Sequence, residues 1–333
     1  MNSVGGTIVR WSAEHAKSLA LAANYYFGQY REVVWLIGDG RSGTTWVSSL
    51  INHQHRYREM FEPFHSRVLE RTNGFLPNQY IRPDDPREAF RNVAAAVFSG
   101  RLTHSRVDAD TRSALYKGLL IKDIFANLFA CWALQRFPDL RILLLLRNPF
   151  AVAVSKLHKR QWSWTINPLD LLNQTDLYED YLHPFEALIR RISSRNDYIQ
   201  NQILIWSILN YVPLRQFRTD QLHVVFYEDV CVSPDDEVSR IMRHIRPHDA
   251  EQRVTIPVEV VRKPSRVTDR DRMLPTGASP IDSWRHELTP AQIDAGLAIL
   301  AHFSLDGLYR FESMPNRERL EDVRQQGAPS SLR

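Results

Sequence analysis

An apolar run, Val33 to Ile37, feeds directly into three glycines and paired hydroxyls in VVWLIGDGRSGTTWVSSL, and this segment narrows the fold more than any other. Gly38, Gly40 and Gly43 let the backbone turn sharply after a buried strand, and Thr44 and Thr45 open a helix. A strand, a glycine turn and a helix N-terminus together make an anion cradle, because the first N–H groups of a helix lack partners and its dipole favours negative charge. Three readings are open. As G-x-G-x-x-G the segment matches a dinucleotide fingerprint, with Glu59 or Glu62 near the acidic position. As G-x-x-x-x-G-K-[ST] it has P-loop spacing, but Thr44 stands at the lysine position and the basic residue has moved forward to Arg41, so a kinase would lack its phosphate-spanning ammonium. The third reading is a cradle for a single 5′-phosphate bearing one transferable group, held by N–H groups from Ser42 to Thr45, two hydroxyls and Arg41. A plain helix cap requires fewer of these residues.

The rest of the chain repeats the alternation. Leu119 to Ile121, Ile142 to Leu146 and His223 to Phe226 read as buried strands, each followed by a helix-compatible stretch, and Tyr57 to Phe61 adds a fifth. This predicts an α/β fold, a single P-loop-like domain with a central parallel sheet of about five strands flanked by helices, over residues 1–315. Helices are expected over Ser18 to Phe27, Arg87 to Phe98, Asn127 to Arg136, His183 to Phe217 and Ala291 to His302, the last started by Thr289-Pro290. After Met314 the sequence turns charged and small, and 316–333 are expected to form a flexible tail.

Composition excludes several classes. With 44% hydrophobic residues, 24% charged and only 13 Gly and 18 Pro in 333, the chain is neither collagenous nor wholly disordered. Its apolar runs fall far short of the roughly 20 residues of a membrane-crossing helix, and no signal peptide is evident. The two cysteines, Cys131 and Cys231, lack metal spacing, which fits a reducing, cytoplasmic setting. A net charge of +4 is too small an excess to argue for nucleic acid, yet it suits an anionic small ligand.

A second phosphate grip lies in RILLLLRNPFAVAVSKLHK. Arg147 ends a strand where α/β sheets bind ligands, and its guanidinium can hold a phosphate with two parallel hydrogen bonds; Ser155 follows two helical turns later. No Asp ends that strand, as an ATPase would more often require, although Asp123 or Asp229 keeps a magnesium-dependent kinase or NTPase reading alive.

Together, RSGTTW at Arg41 to Trp46 and RNPFAVAVS at Arg147 to Ser155 resemble the two nucleotide-binding signatures of the sulfotransferase family, and the resemblance extends more faintly from about Val33 to about Tyr309. It implies 3′-phosphoadenosine 5′-phosphosulfate (PAPS) as sulfuryl donor and no metal. Arg41, Ser42, Gly43, Thr44, Thr45 and Trp46 would hold the 5′-phosphosulfate, and Arg147 and Ser155 the 3′-phosphate. Tyr227, in the YED segment Tyr227 to Asp229, is similar to a family tyrosine near the adenine. Lys122 aligns with a lysine that approaches the sulfuryl group, and Arg262, Lys263, Ser265 and Arg266 resemble a segment that closes over the nucleotide. Ser283-Trp284-Arg285 is similar to a C-terminal family feature that serves partly in packing.

Sulfuryl transfer to a hydroxyl needs a base. The cytosolic branch of the family has a His two positions after the lysine; here Ile124 stands there. The segment MFEPFHS offers Glu62, and its FEP core looks like the carbohydrate and membrane-associated branches, where a Glu acts as base; His65 is the second candidate. Residues from Lys156 to Leu182, with His158 to Trp164, Tyr178 and Tyr181, are expected to wall the acceptor, a carbohydrate or glycolipid hydroxyl. The alternatives are the kinase or NTPase above and a noncatalytic nucleotide-binding protein.

Overall fold

The computed structural model describes residues 16–65, 68, 75–111, 113, 115–160, 162, 167–249, 253–263 and 281–325. Five strands form one sheet: β1 (Glu32–Gly38), β2 (Tyr57–Phe61), β3 (Gly118–Asp123), β4 (Leu140–Leu146) and β5 (Leu222–Phe226), in the order β2-β3-β1-β4-β5 and with every neighbouring pair parallel. The principal helices are α1 (Thr44–Ile51), α2 (Glu88–Phe98), α3 (Ala130–Arg136), α4 (Pro149–Leu157), α5 (Glu186–Ser194), α6 (Tyr198–Gln216), α7 (Tyr227–Val232), α8 (Pro234–Ile245), α9 (Val258–Arg262), α10 (Pro290–His302) and α11 (Leu320–Gln325).

Strand residues alternate between two cores because successive side chains leave a strand on opposite faces. Val34, Leu36, Leu120, Leu143, Leu145 and Val225 pack on Val47, Leu50 and Ile51 of α1 and on Val238, Ile241 and Ile245 of α8. Trp35, Ile37, Leu119, Ile121, Ile142, Leu144 and Leu146 join the larger core on the other face, with side chains from α2, α3, α4, α6 and α10. Burial on both faces explains why these strands read as unbroken apolar runs, and each buried Leu or Ile contributes about 1.5–3 kcal/mol.

Register levels the strand ends. Phe61 lies beside Lys122, Ile37 beside Asp123, Gly38 beside Leu145 and Leu146 beside Phe226, so Glu62, Asp39, Arg147 and Tyr227 all follow the carboxyl edge of the sheet. Chain direction across the sheet diverges on either side of β1, and a crevice at that point is where open α/β sheets take ligands.

Two expectations change. The stretch from His183 to Phe217 is not one helix: it breaks between α5 and α6, where Asn196 takes a left-handed φ of 51° and the Asp197 side chain accepts the Gln200 N–H as a new cap. The beginning of the presumed tail is docked rather than frayed. Val323 is buried, Arg215 donates to the Val323 carbonyl, Arg324 donates to the Leu222 carbonyl at 2.9 Å, and Arg317 pairs with Asp229 and Glu237. Trp284 has the packing role expected of it, stacked on Phe150 with centroids 4.9 Å apart.

Candidate functional site

The loop after β1 closes on itself and on its neighbours. The Ser42 N–H donates to the Asp39 carbonyl at 3.1 Å, which leaves Gly43, Thr44 and Thr45 to supply the N–H groups at the start of α1. Gly43 has φ 93°, and a Cβ there would lie 2.5 Å from the Tyr227 ring, so the position needs glycine for both conformation and contact. The Ser42 hydroxyl is buried and has no hydrogen-bond partner among the described residues. An orphaned buried hydroxyl beside a helix N-terminus fits a phosphate oxygen as its missing partner.

The second motif comes to the first. Arg41 Nε donates to Ser155 Oγ at 2.9 Å, and Arg147 Nη1 donates to the Arg41 carbonyl at 2.9 Å. Arg147 also stands over the Tyr227 ring, 4.5 Å from its centroid. Asn148 starts α4 by accepting from the Phe150 and Ala151 N–H groups, with Pro149 at the first helical position, and this sets Ser155 at the proper height. Tyr227 packs edge-on against Trp46, whose indole N–H donates to the Val261 carbonyl at 3.1 Å. That bond draws α9 against α1, with Arg262 and Lys263 exposed beyond it. Ser265 and Arg266 lie outside the described residues.

Sequence reading missed a further tie. Lys156, next to Ser155, is buried against Asp39 with Nζ–O distances of 2.7 and 2.6 Å. It therefore anchors the glycine loop to α4 and does not line an acceptor wall. Tyr181 likewise belongs to the core, Tyr178 donates to Glu186 and His158 pairs with Glu287, so much of the expected wall is framework. Among the described residues of that group, Trp162 stands near the β1 loop, with Arg41 5.7 Å and Lys159 5.3 Å from its ring centroid.

At the other half of the edge, Glu62 follows β2. Its N–H donates to the Lys122 carbonyl at 2.7 Å, and φ is 49°. Six described non-glycine residues have positive φ, and Arg41 and Glu62 are two of them; such strain gathers at functional sites. Lys122 reaches Glu62 Oε1 at 2.6 Å, and Arg106 reaches Oε2 at 2.6 Å. Burial would raise the Glu62 carboxyl, but Lys122 and then Arg106 override it and hold the carboxyl below its ordinary value. His65 packs against Phe125, and its backbone N–H donates to the Glu62 carbonyl.

The carboxylates that a magnesium-dependent reading would use are engaged elsewhere. Asp123 accepts the Phe64 and Phe125 N–H groups, with burial pushing its carboxyl up to about 6. Asp229 pairs with Arg317 at 2.7 Å. Between Tyr227 and Asp229, Glu228 accepts the Asn148 N–H and the Tyr309 hydroxyl.

A glycine loop with a buried hydroxyl that has no partner among the described residues, a strand-end arginine bonded to that loop, and an ion-paired lysine and carboxylate thus lie along one edge of the sheet. A family model of the sulfotransferase domain matches residues 31–256, and the chain belongs to that family. Its activity class is accordingly sulfuryl transfer. No curated protein matches the chain. Among solved structures it is similar to a sulfotransferase from Alicyclobacillus acidocaldarius, 14% identical over 91% of this chain and 99% of that one with a TM-score of 0.41. The sulfotransferase domain from the curacin biosynthetic pathway is 14% identical over 82% and 97%, with a TM-score of 0.44. Retinol dehydratase, solved with androsterone and the inactive cofactor PAP, is 13% identical over 84% and 83%, with a TM-score of 0.39.

Proposed function

We propose that the protein transfers the sulfuryl group of PAPS to a hydroxyl of a carbohydrate or glycolipid acceptor. The observation that carries this reading is the pair of bonds by which Arg41 meets Ser155 and Arg147 meets the Arg41 carbonyl, uniting two phosphate grips around one orphaned hydroxyl. The donor supplies an electrophilic sulfur and a phosphate leaving group.

The residues divide the work. N–H groups of Gly43, Thr44 and Thr45, with the Ser42 hydroxyl, hold the 5′-phosphosulfate end, while Arg147 and Ser155 hold the 3′-phosphate. Tyr227 and Trp46 shape the floor beside the adenine, and Arg262 and Lys263 cover the nucleotide. Arg41 and Lys122 neutralise charge as it develops on the departing phosphate, so two side-chain cations perform that task without a metal ion. Glu62 takes the acceptor proton as the hydroxyl oxygen forms its bond to sulfur and the sulfur–phosphate oxygen bond breaks. His65, on the same turn, is the second candidate for the proton.

The test is Glu62→Gln. The variant should bind 3′-phosphoadenosine 5′-phosphate as the parent does while turnover falls by about 10²–10⁴-fold. Undiminished turnover would remove Glu62 as base and pass the role to His65.

A further inference from the structure

Glu62 in its observed state is a weak base, since Lys122 and Arg106 each hold one of its oxygens. Lys122 has a partner to move to, because the proposed chemistry puts negative charge on the departing phosphate. Arg106 has none on the nucleotide side. It comes from the segment 101–110 beyond β2, the edge strand, and β3 and Lys122 separate that strand from the phosphate loop after β1.

Arg106 is also not needed to hold its own segment in place. Phe61 N–H donates to the Val107 carbonyl at 2.9 Å, and Arg58, fully buried, pairs with Asp108 at 2.8 Å and donates to the Gly100 and Leu102 carbonyls. The anchored backbone therefore presents Arg106 to Glu62 from a fixed support. Of the three charged side chains in this cluster, Glu62 is 7% exposed and Lys122 2%, but Arg106 is 33% exposed. Its guanidinium faces the Phe61 ring, 5.3 Å from the centroid, and its buried Nε has no hydrogen-bond partner among the described residues. A guanidinium one-third exposed, on the acceptor side of the base, can turn to a second anion.

We propose that Arg106 recognises a negatively charged group on the acceptor, and that this group draws the guanidinium from Glu62 and frees the carboxylate to take the hydroxyl proton. The inference rests on Glu62 acting as base, and it narrows the acceptor to an acidic one: a hydroxyl compound with a carboxylate, sulfate or phosphate near the reacting oxygen, such as an acidic sugar. An acceptor without such a group leaves Arg106 on Glu62 and meets a weaker base. Arg106 thereby couples recognition to proton transfer.

The experiment follows the Glu62 carboxyl directly in the full-length protein labelled with carbon-13 at glutamate carboxyls, its signal assigned by its loss in Glu62→Gln. Besides Lys122 and Arg106, the buried Asp123 carboxyl influences this titration, and glutamate labelling leaves Asp123 silent. Arg106→Gln should raise the Glu62 titration midpoint by about one pH unit or more, and Arg106→Lys should restore most of the shift. Methyl glucuronoside and methyl glucoside, sharing one ring and differing in a carboxylate, are the probes. The glucuronoside should raise the midpoint in the parent and leave Arg106→Gln unmoved, while the glucoside changes neither. A Glu62 signal silent to the glucuronoside, equal responses to both probes, or an unshifted midpoint in Arg106→Gln would overturn the assignment. Because these readouts are independent of turnover, an inactive Glu62→Gln with a silent probe removes only the Arg106 inference, whereas a fully active Glu62→Gln removes the base beneath it.

Discussion

Burial is the largest influence on Glu228, and it pushes the carboxyl from 4.5 up to about 7 despite the Asn148 N–H and Tyr309 hydroxyl that donate to it. Because the folded protein holds this proton more tightly than the unfolded chain does, the contribution to stability is fully present below pH 4.5 and is lost as pH rises through about 7. Glu228→Gln, neutral throughout, should flatten the slope of urea-unfolding stability between those limits, whatever it does to stability itself. An unchanged slope would assign the pH dependence elsewhere. Glu62 has the opposite sign: its carboxyl is depressed, so its ion pairs stabilise the fold above the ordinary carboxylate range and lose that effect as pH falls. Residue chemistry of this kind was only partly legible. FEP and RSGTTW are local patterns and pointed to Glu62, Arg41 and Ser42 directly, whereas Arg106 is one basic residue in a polar loop, and only the fold brings it against Glu62.

Among the elements, the union of the β1 loop with α4 carries the strongest consequence. Asp39 and Lys156 stand 117 positions apart, and their buried pair ties the glycine loop after β1 to the helix bearing Ser155. Removing one partner takes from the other the opposite charge it is buried against, so Asp39→Asn or Lys156→Met should each cost about 3–5 kcal/mol in urea unfolding. The double variant should cost less than the sum of the two; additive losses would mean that the pair acts as two separate charges. The strands were readable because burial on both faces makes them plain apolar runs, and Tyr57–Phe61 was found even though it lies at an edge. The pair was not, because an interaction across such a separation leaves no periodic trace in sequence. The break between α5 and α6 escaped for a different reason: the apolar spacing continues through it, and the signal lies in Asn196 and the capping Asp197.

For the whole molecule, the polypeptide after the family-matched region completes the structure. Trp284 and α10 cover one face of the sheet, and the docked turn and helix at Arg317–Gln325 seal β5, with Arg317 engaging Asp229 and Glu237 from α7 and α8. The charged composition of this end concealed the docking, since Arg317 and Arg324 act as partners to internal acceptors and not as a solvated face. A chain ending at Met314 should lose about 2 kcal/mol or more, from buried Val323 alone, and melt several degrees lower. An unaltered melting temperature would show that the end is dispensable. Central to the proposed function is a single nucleotide held by two phosphate grips. Calorimetric titration in EDTA with 3′-phosphoadenosine 5′-phosphate, beside adenosine 5′-phosphate, ATP with magnesium, and Arg147→Ala, tests that claim most directly. Tight binding that requires the 3′-phosphate and weakens in Arg147→Ala is the predicted result; equal affinity for adenosine 5′-phosphate, or binding only of ATP with magnesium, would contradict it.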